Sequence, residues 1–392
     1  MLRLLLSASA LRFLDSFVLI APFYTVMFAE RGLTPAQIGV AMASWSLTGV
    51  LLEVPCGVLA DRMSRRWLLA IAQLLRAVGF VVWIVFPNFW GFLIGLTLWG
   101  MKSATLSGAF EALIYDELKA AGREADYARV FGRTQSARFA GVVAASLGAA
   151  VAAPLGYTAL IWASVAAGSA AALSALSLPQ APRALATGRW GYLAHLARGA
   201  REAASLPGVP VLILFIAAIQ AIVYACADYW QLFAREVGLG KSGIALFMAA
   251  LYAAGALTAM LAHRLRDLPL PLLCGSLVLA GGSIIAGAVT WQAWSVVFPV
   301  LFVTLYWVVD VNADARFHHA LNPETRATVA SVKGFAMQSG TSLLMLAFGL
   351  IAQAGSYRLS FLVFGLGLAL AGVVFAAVLG RAGRGPQASA RT

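Results

Sequence analysis

The chain has 392 residues, 61% of them hydrophobic and 11% charged, with a formal net charge of +12. Ordinary soluble domains run at roughly 45–50% apolar and about 25% charged, so this excess cannot be hidden in one water-soluble core. The composition excludes a disordered chain and a secreted disulfide scaffold, and the positive charge reads as membrane topology rather than as a nucleic-acid surface.

A spanning helix takes about 20 mainly apolar residues. Breaks at Pro, Gly and charge clusters predict six such helices over 5–28, 36–60, 67–87, 89–117, 131–152 and 158–178. Ala8-Ser9-Ala10 has the look of a signal cleavage site, but only Leu4, Leu5 and Leu6 precede it as an apolar run, so the first segment is expected to be a retained helix. Residues 179–208 follow, a polar stretch carrying Pro179, Pro182, Arg183, Arg189, Arg198, Arg201 and Pro207. A second set is predicted over 209–234, 242–263, 269–289, 292–318, 328–353 and 358–380. The expected architecture is an all-α polytopic membrane protein of twelve transmembrane helices. It comprises a six-helix bundle over 1–178, a cytoplasmic linker over 179–208, a second six-helix bundle over 209–381 and a cytoplasmic tail over 382–392.

Charge placement orients this array. Of the 28 Lys and Arg residues, Arg12, Arg76, Lys102, Arg138 and Lys333 fall inside predicted spans. Four, Arg31, Arg235, Lys241 and Arg358, lie on one side, and the other nineteen lie on the side of the N-terminus. Short cytoplasmic loops collect positive charge, so both termini are expected in the cytoplasm. The halves also echo each other: Asp15 in the first span has Asp228 in the seventh, and Glu111 in the fourth has Asp310 in the tenth. Parallel repeats that place polar groups near a midplane cavity are a recurrent transporter architecture.

The loop after the second span reads Gly57-Val58-Leu59-Ala60-Asp61-Arg62-Met63-Ser64-Arg65-Arg66. A small residue at 57 would permit close helix approach. Asp61 offers a carboxylate at the membrane boundary, and Arg62, Arg65 and Arg66 can bind inner-leaflet phosphates or acidic side chains. This loop resembles the signature of the major facilitator superfamily, with Ser64 standing at its second glycine. Glu53-Val54-Pro55-Cys56-Gly57, Gly108-Ala109-Phe110-Glu111-Ala112-Leu113-Ile114-Tyr115-Asp116 and Asn322-Pro323-Glu324-Thr325-Arg326-Ala327-Thr328-Val329 are similar to stretches of bacterial drug-efflux-type members. The matching loop of the second half, His263-Arg264-Leu265-Arg266-Asp267, is degenerate. The fifth span has Gly132, Gly141 and Gly148 without the Gly-Pro pair of the antiporter signature. The resemblance implies two bundles rocking about a central cavity, a gating role for Gly57, Asp61, Arg62, Arg65 and Arg66, a monomer, and a bacterial inner-membrane location.

An ionisable group near the bilayer centre costs at least ~2.5 kcal/mol, so each asks for a reason. Asp15 has Arg12 one turn earlier on the same face, a spacing that suits an internal pair. Glu53 precedes Asp61 by eight residues, about 12 Å of helix, which sets it at hydrocarbon depth. Asp15, Glu53, Glu111, Asp228 and Asp310 are the candidate proton-coupling or substrate residues. Asp310 and Asp314 share a face, and Arg12, Lys102 and Arg138 are expected to pair with carboxylates or with an anionic substrate. Arg76 and Lys333 are expected to turn toward a polar interior or an interface and are assigned no role. Tyr24, Tyr224, Tyr229 and Trp230, close to these charges, are candidate substrate contacts; the other tryptophans read as interface belt or packing.

Cys56, Cys226 and Cys274 lie in apolar stretches without metal-ligand spacing. His318 and His319, adjacent on a helix, diverge by about 100° and cannot close a metal site alone. No nucleotide-binding loop, zinc-protease motif, dinucleotide fingerprint or nucleophile elbow occurs. The function expected is therefore secondary transport with no cofactor and no enzymatic step. The embedded acids point to the proton gradient as the driving force, and the resemblance implies export of a drug, metabolite or siderophore ahead of uptake of a nutrient or metal chelate. A polytopic membrane enzyme or lipid-handling protein is the remaining alternative.

Overall fold

The computed structural model describes residues 2–180, 192–206, 208–261, 264, 268–321 and 326–382. These residues form helices and no strand. The first half comprises α1 (Leu2–Ser16), α2 (Tyr24–Glu30), α3 (Pro35–Arg62), α4 (Arg65–Val85), α5 (Phe89–Ala120), α6 (Tyr127–Ala152) and α7 (Tyr157–Leu176). A connecting helix α8 (Tyr192–Ser205) leads to α9 (Val209–Ala227), α10 (Trp230–Glu236), α11 (Lys241–Leu261), α12 (Leu270–Thr290), α13 (Val297–His319), α14 (Arg326–Ala354) and α15 (Tyr357–Ala382). Ten of the described helical segments are long and apolar enough to cross a membrane. The split first crossing, α1 with α2, and the 32-residue α5, whose run is interrupted by Lys102 and Glu111, complete the predicted twelve.

Local sequence sets several helix ends. Thr34 caps α3 in a reciprocal box with Gln37, with Pro35 at the first helical position, where its missing N–H costs nothing. Asn88 accepts from the Gly91 amide at the start of α5.

Two predicted spans are interrupted. The expected helix over 5–28 breaks between Ser16 and Tyr24, where Pro22 has no amide to donate and the freed Ile20 amide donates to Ser164 Oγ at 3.1 Å. The expected helix over 209–234 breaks at Asp228 and Tyr229. Asp15 stands one residue before the end of α1 and Asp228 immediately follows α9. The pairing of these acids read from sequence therefore coincides with equivalent breaks in the first crossing of each half.

Small residues set the helix seams. A Cβ on Gly281 of α12 would fall 2.5 Å from the Ala369 amide nitrogen of α15, and one on Gly141 of α6 would fall 2.4 Å from the Phe13 carbonyl of α1. Such approaches are open only to glycine. Gly282, Gly132 and Gly148 would meet nothing within 4 Å.

The halves meet on the side away from the N-terminus. The Thr25 hydroxyl donates to Gln231 Oε1 at 2.9 Å, Gln231 Nε2 donates to the Ala21 carbonyl at 2.8 Å, and Ser242 donates to the Ala150 carbonyl at 2.9 Å. Lys241 lies 3.7 Å from Glu30 and over the Tyr157 ring. Gly39 near the start of α3 packs on Gly349 near the end of α14, where a Cβ on Gly349 would come within 2.8 Å of the Gly39 Cα. One apolar core runs across both halves at this end, including Phe23, Phe28, Tyr157, Trp230, Phe233 and Phe348. A separate core near the N-terminus, with Leu4, Leu11, Leu68, Leu113 and Val130, stays within the first half. The bundles are thus joined at the far side and divided on the N-terminal side.

Candidate functional site

The division holds a cavity of about 420 Å³ walled by α1, α3, α4, α5 and α6 of the first half and by Asp228 and Tyr252 of the second. Its lining reaches toward the N-terminal side at Arg12, Phe110, Glu111 and Phe131. A smaller apolar cavity of about 160 Å³ adjoins it in the second half. Tyr252 lines both, and Tyr224, Trp230, Phe302, Tyr306 and Trp307 complete much of the second wall, with Phe139 reaching in from α6.

A buried charge network sits at the inner end of the first cavity. Asp15 pairs with Lys102 of α5, with Arg76 Nη1 of α4 at 3.3 Å and with Arg12 Nη1 at 3.9 Å. Gln73 Nε2 donates to Asp15 Oδ1 at 2.9 Å, while Arg76 also donates to the Asp15 carbonyl at 2.6 Å and to Gln73 Oε1 at 2.9 Å. Arg76 is 2% exposed. Charges at such depth persist only when paired and hydrogen-bonded, and three helices, α1, α4 and α5, converge here to do so. The pair foreseen between Arg12 and Asp15 is present but is the longest contact of the set. Arg12 instead reaches Gln135 Oε1 of α6 at 2.9 Å and stacks over the Phe110 ring.

Asp228, at the opposite wall, takes the Tyr24 hydroxyl as its hydrogen-bond partner, and among the described residues no Lys or Arg stands within ion-pair distance of it. Asp310 lies outside both linings and accepts from Gln220 Nε2 at 2.8 Å and from the Tyr306 hydroxyl at 3.0 Å. Asp314 pairs with Lys333 of α14 and lies 3.5 Å from His318 Nε2. Each of the two acids thus has its own partners instead of the other.

The cavity brings together Arg12, Asp15, Tyr24, Lys102, Glu111, Arg138 and Asp228 of the sequence candidates, and the adjoining pocket adds Tyr224 and Trp230. It does not bring in Glu53, which is exposed on α3 and off both linings. Nor does it include Tyr229, which is fully buried and donates to the Met345 carbonyl at 2.9 Å. Arg76, assigned no role from the sequence, turns to the polar interior and proves central. Trp45, Trp99 and Tyr252 were passed over because aromatic residues at these positions look the same whether they face lipid, core or cavity.

In the signature loop, Arg65 pairs with Asp116 of α5, tying the start of α4 to the end of α5, and Ser64 hydrogen-bonds Gln180. Gly57 does not serve the close approach expected of it: it is exposed, and a Cβ there would meet nothing within 4 Å. Arg62 is exposed and Arg66 half-buried. The Asp61 side chain lies outside the described residues, as do residues 322–325 of the Asn322–Val329 motif, most of the His263–Asp267 loop, and the tail from 383. The same holds for 181–191 of the linker, whose described part forms α8, packed on α14 where Gly199 meets Thr328. Among the described residues no group of His, Cys, Asp or Glu could hold a metal ion.

Comparison with known proteins bears on this arrangement at three levels. The Major Facilitator Superfamily profile matches residues 5–344. The inner membrane transport protein YajR of Escherichia coli (strain K12) is 29% identical over 160 residues, which is 39% of this chain; the match spans about a third of that relative, 33% of its length. Among solved structures, the nucleoside transporter NupG superposes with a TM-score of 0.76 at 16% identity, covering 96% of this chain and 99% of that one. A D-xylose-proton symporter superposes with a TM-score of 0.71 at 13% identity, covering 95% and 96%. At such identities the superpositions speak for the fold alone. With the family profile running through both halves, the chain belongs to the major facilitator superfamily, and is a multi-pass membrane transporter rather than an enzyme.

Proposed function

We propose that the protein is a proton-coupled secondary transporter that exports a small organic molecule across a bacterial inner membrane by alternating access. The observation that carries the reading is the cavity between the halves, sealed at the far side and reaching the N-terminal side, with Asp228 and Glu111 on its wall. Asp228 has a hydroxyl partner and no cation within ion-pair distance among the described residues, which suits a carboxyl group that takes up and gives back a proton. Asp310 has the same character, held by an amide and a phenol. Asp15, locked by three cations, serves to hold the first half together. The positive charge on the N-terminal side supports a cytoplasmic placement of that side, so the cavity described faces the cytoplasm, where an exporter loads. Export itself rests on the similarity of the Glu53–Gly57 and Gly108–Asp116 stretches to drug-efflux-type members.

The test is flux in inside-out vesicles acidified within. For an exporter working by antiport, a cargo added outside is drawn in as protons leave, and a trapped pH dye reports the loss of acid. Accumulation only when cargo and protons move the same way would establish uptake instead. Flux indifferent to the gradient would remove proton coupling.

A further inference from the structure

The first-half wall of the cavity carries four cations, Arg12, Arg76, Lys102 and Arg138, against two carboxylates, Asp15 and Glu111. Asp15 alone neutralises the buried set, meeting three of the four cations at once. Arg138 has no carboxylate partner among the described residues and rests on the Phe139 ring, 4.9 Å from its centroid. The Nε atoms of Arg12, Arg76 and Arg138 are buried without a hydrogen-bond partner, and so is the indole nitrogen of Trp45 on the same wall. Donors outnumber acceptors throughout this lobe. A surplus of buried positive charge is costly in an empty site and is offset when an anion enters.

The other lobe has the opposite character. Beyond Tyr252 its wall is aromatic and aliphatic, with Trp230, Phe302 and Trp307, and is almost devoid of polar surface. Rings of this kind pack on flat or apolar bodies and offer them nothing to hydrogen-bond beyond the Tyr hydroxyls.

We infer that the cargo is an amphipathic organic anion. Its carboxylate or comparable acidic group docks among Lys102, Arg76, Arg138 and Arg12, and its apolar or aromatic body extends past Tyr252 into the second lobe. Asp15 itself pairs with Lys102 and Arg76, and an arriving anion competes with it for the same donors. Guanidinium groups suit such a headgroup because they hold a carboxylate by two parallel hydrogen bonds. This inference rests on the cavity being the transport site proposed above; it adds the charge and shape of what binds there.

A matched set separates the possibilities: phenylbutyrate, phenylbutyramide and phenylbutylamine share one apolar body and differ only in the charged end. Binding to the purified full-length chain is read by thermal stabilisation and by quenching of tryptophan fluorescence. The carboxylate is expected to bind at least about tenfold more tightly than the amide or the amine. Arg138→Gln, outside the Asp15 network and so expected to fold, should lose about tenfold of the carboxylate's affinity and leave the amide's unchanged. Lys102→Met should abolish the preference, with Lys102→Arg restoring it. Equal or tighter binding of the amide or amine, no carboxylate-dependent shift up to millimolar concentration, or an unchanged preference in Arg138→Gln would overturn the inference. Because these are binding measurements without a gradient, they stand apart from the vesicle test. Proton coupling can fail while the anion preference holds, and the preference can fail while proton-driven flux of a neutral cargo persists.

Discussion

Lys102 of α5 meets the carboxylate of Asp15 of α1 inside the bundle, with each side chain only 6% exposed, and Arg76 of α4 closes on the same oxygen. Removing one member of such a group leaves the others charged and unpaired, which costs far more than an exposed ion pair is worth. Asp15→Asn is expected to destabilise the protein by about 3 kcal/mol, read as a fall in melting temperature in detergent. Adding Lys102→Met to it should restore part of the loss. Strictly additive losses would show that the two do not interact.

The acids differ in what holds them, and their variants should differ accordingly. Asp228→Asn and Asp310→Asn keep the shape of the side chain while removing the exchangeable proton. Each is expected to abolish gradient-driven accumulation while leaving cargo exchange across the membrane at zero gradient. Glu53→Gln, off both cavity walls, should leave both activities within about twofold of the parent; loss of coupling there would return Glu53 to the mechanism.

Gly39 and Gly349 touch where the halves close. A valine at 349 forces a Cβ against the Pro35 carbonyl, at 2.6 Å, and should hold the far side apart. The three native cysteines are buried, so a single Thr25→Cys reporter would label slowly with a polar thiol reagent. Gly349→Val is expected to raise that rate at least about tenfold; an unchanged rate would mean that the far-side seam tolerates the added methyl groups.

Gly281 and Gly282 are neighbours in sequence and opposites in packing. Gly281→Ala drives a methyl into the α15 backbone and is expected to cost about 1–3 kcal/mol. Gly282→Ala meets open space and should be neutral or slightly stabilising, since alanine is the better helix former. Melting temperatures of the two variants, measured side by side, decide it.

The number, order and bounds of the spans were legible because a run of about 20 apolar residues between charged loops has few other readings. The breaks after Ser16 and at Asp228 were not, since Pro22 marks a weak point in the first crossing and nothing comparable marks the seventh. Depth was legible and azimuth was not. Counting from Asp61 put Glu53 at hydrocarbon depth, but the face it occupies depends on how α3 turns against α5 and α14. Arg76 shows the converse: no carboxylate lies one turn away on its own helix, and its carboxylate partner, Asp15, comes from α1 and is shared with Lys102 of α5. Pairings within one helix could be read from spacing, whereas those that build the site join different helices and exist only once the bundle is packed.

The two stubs α2 and α10 have seven residues each, five of them buried in either stub, and they lean on each other through Thr25 and Gln231. A helix of two turns has little standing of its own, so neither stub is firmly shaped without its neighbour or the bundle behind it. Parting the halves strips both of that mutual brace in the same instant. The outer seam is therefore built to give way all at once, behaving as a snap fastener rather than a zip.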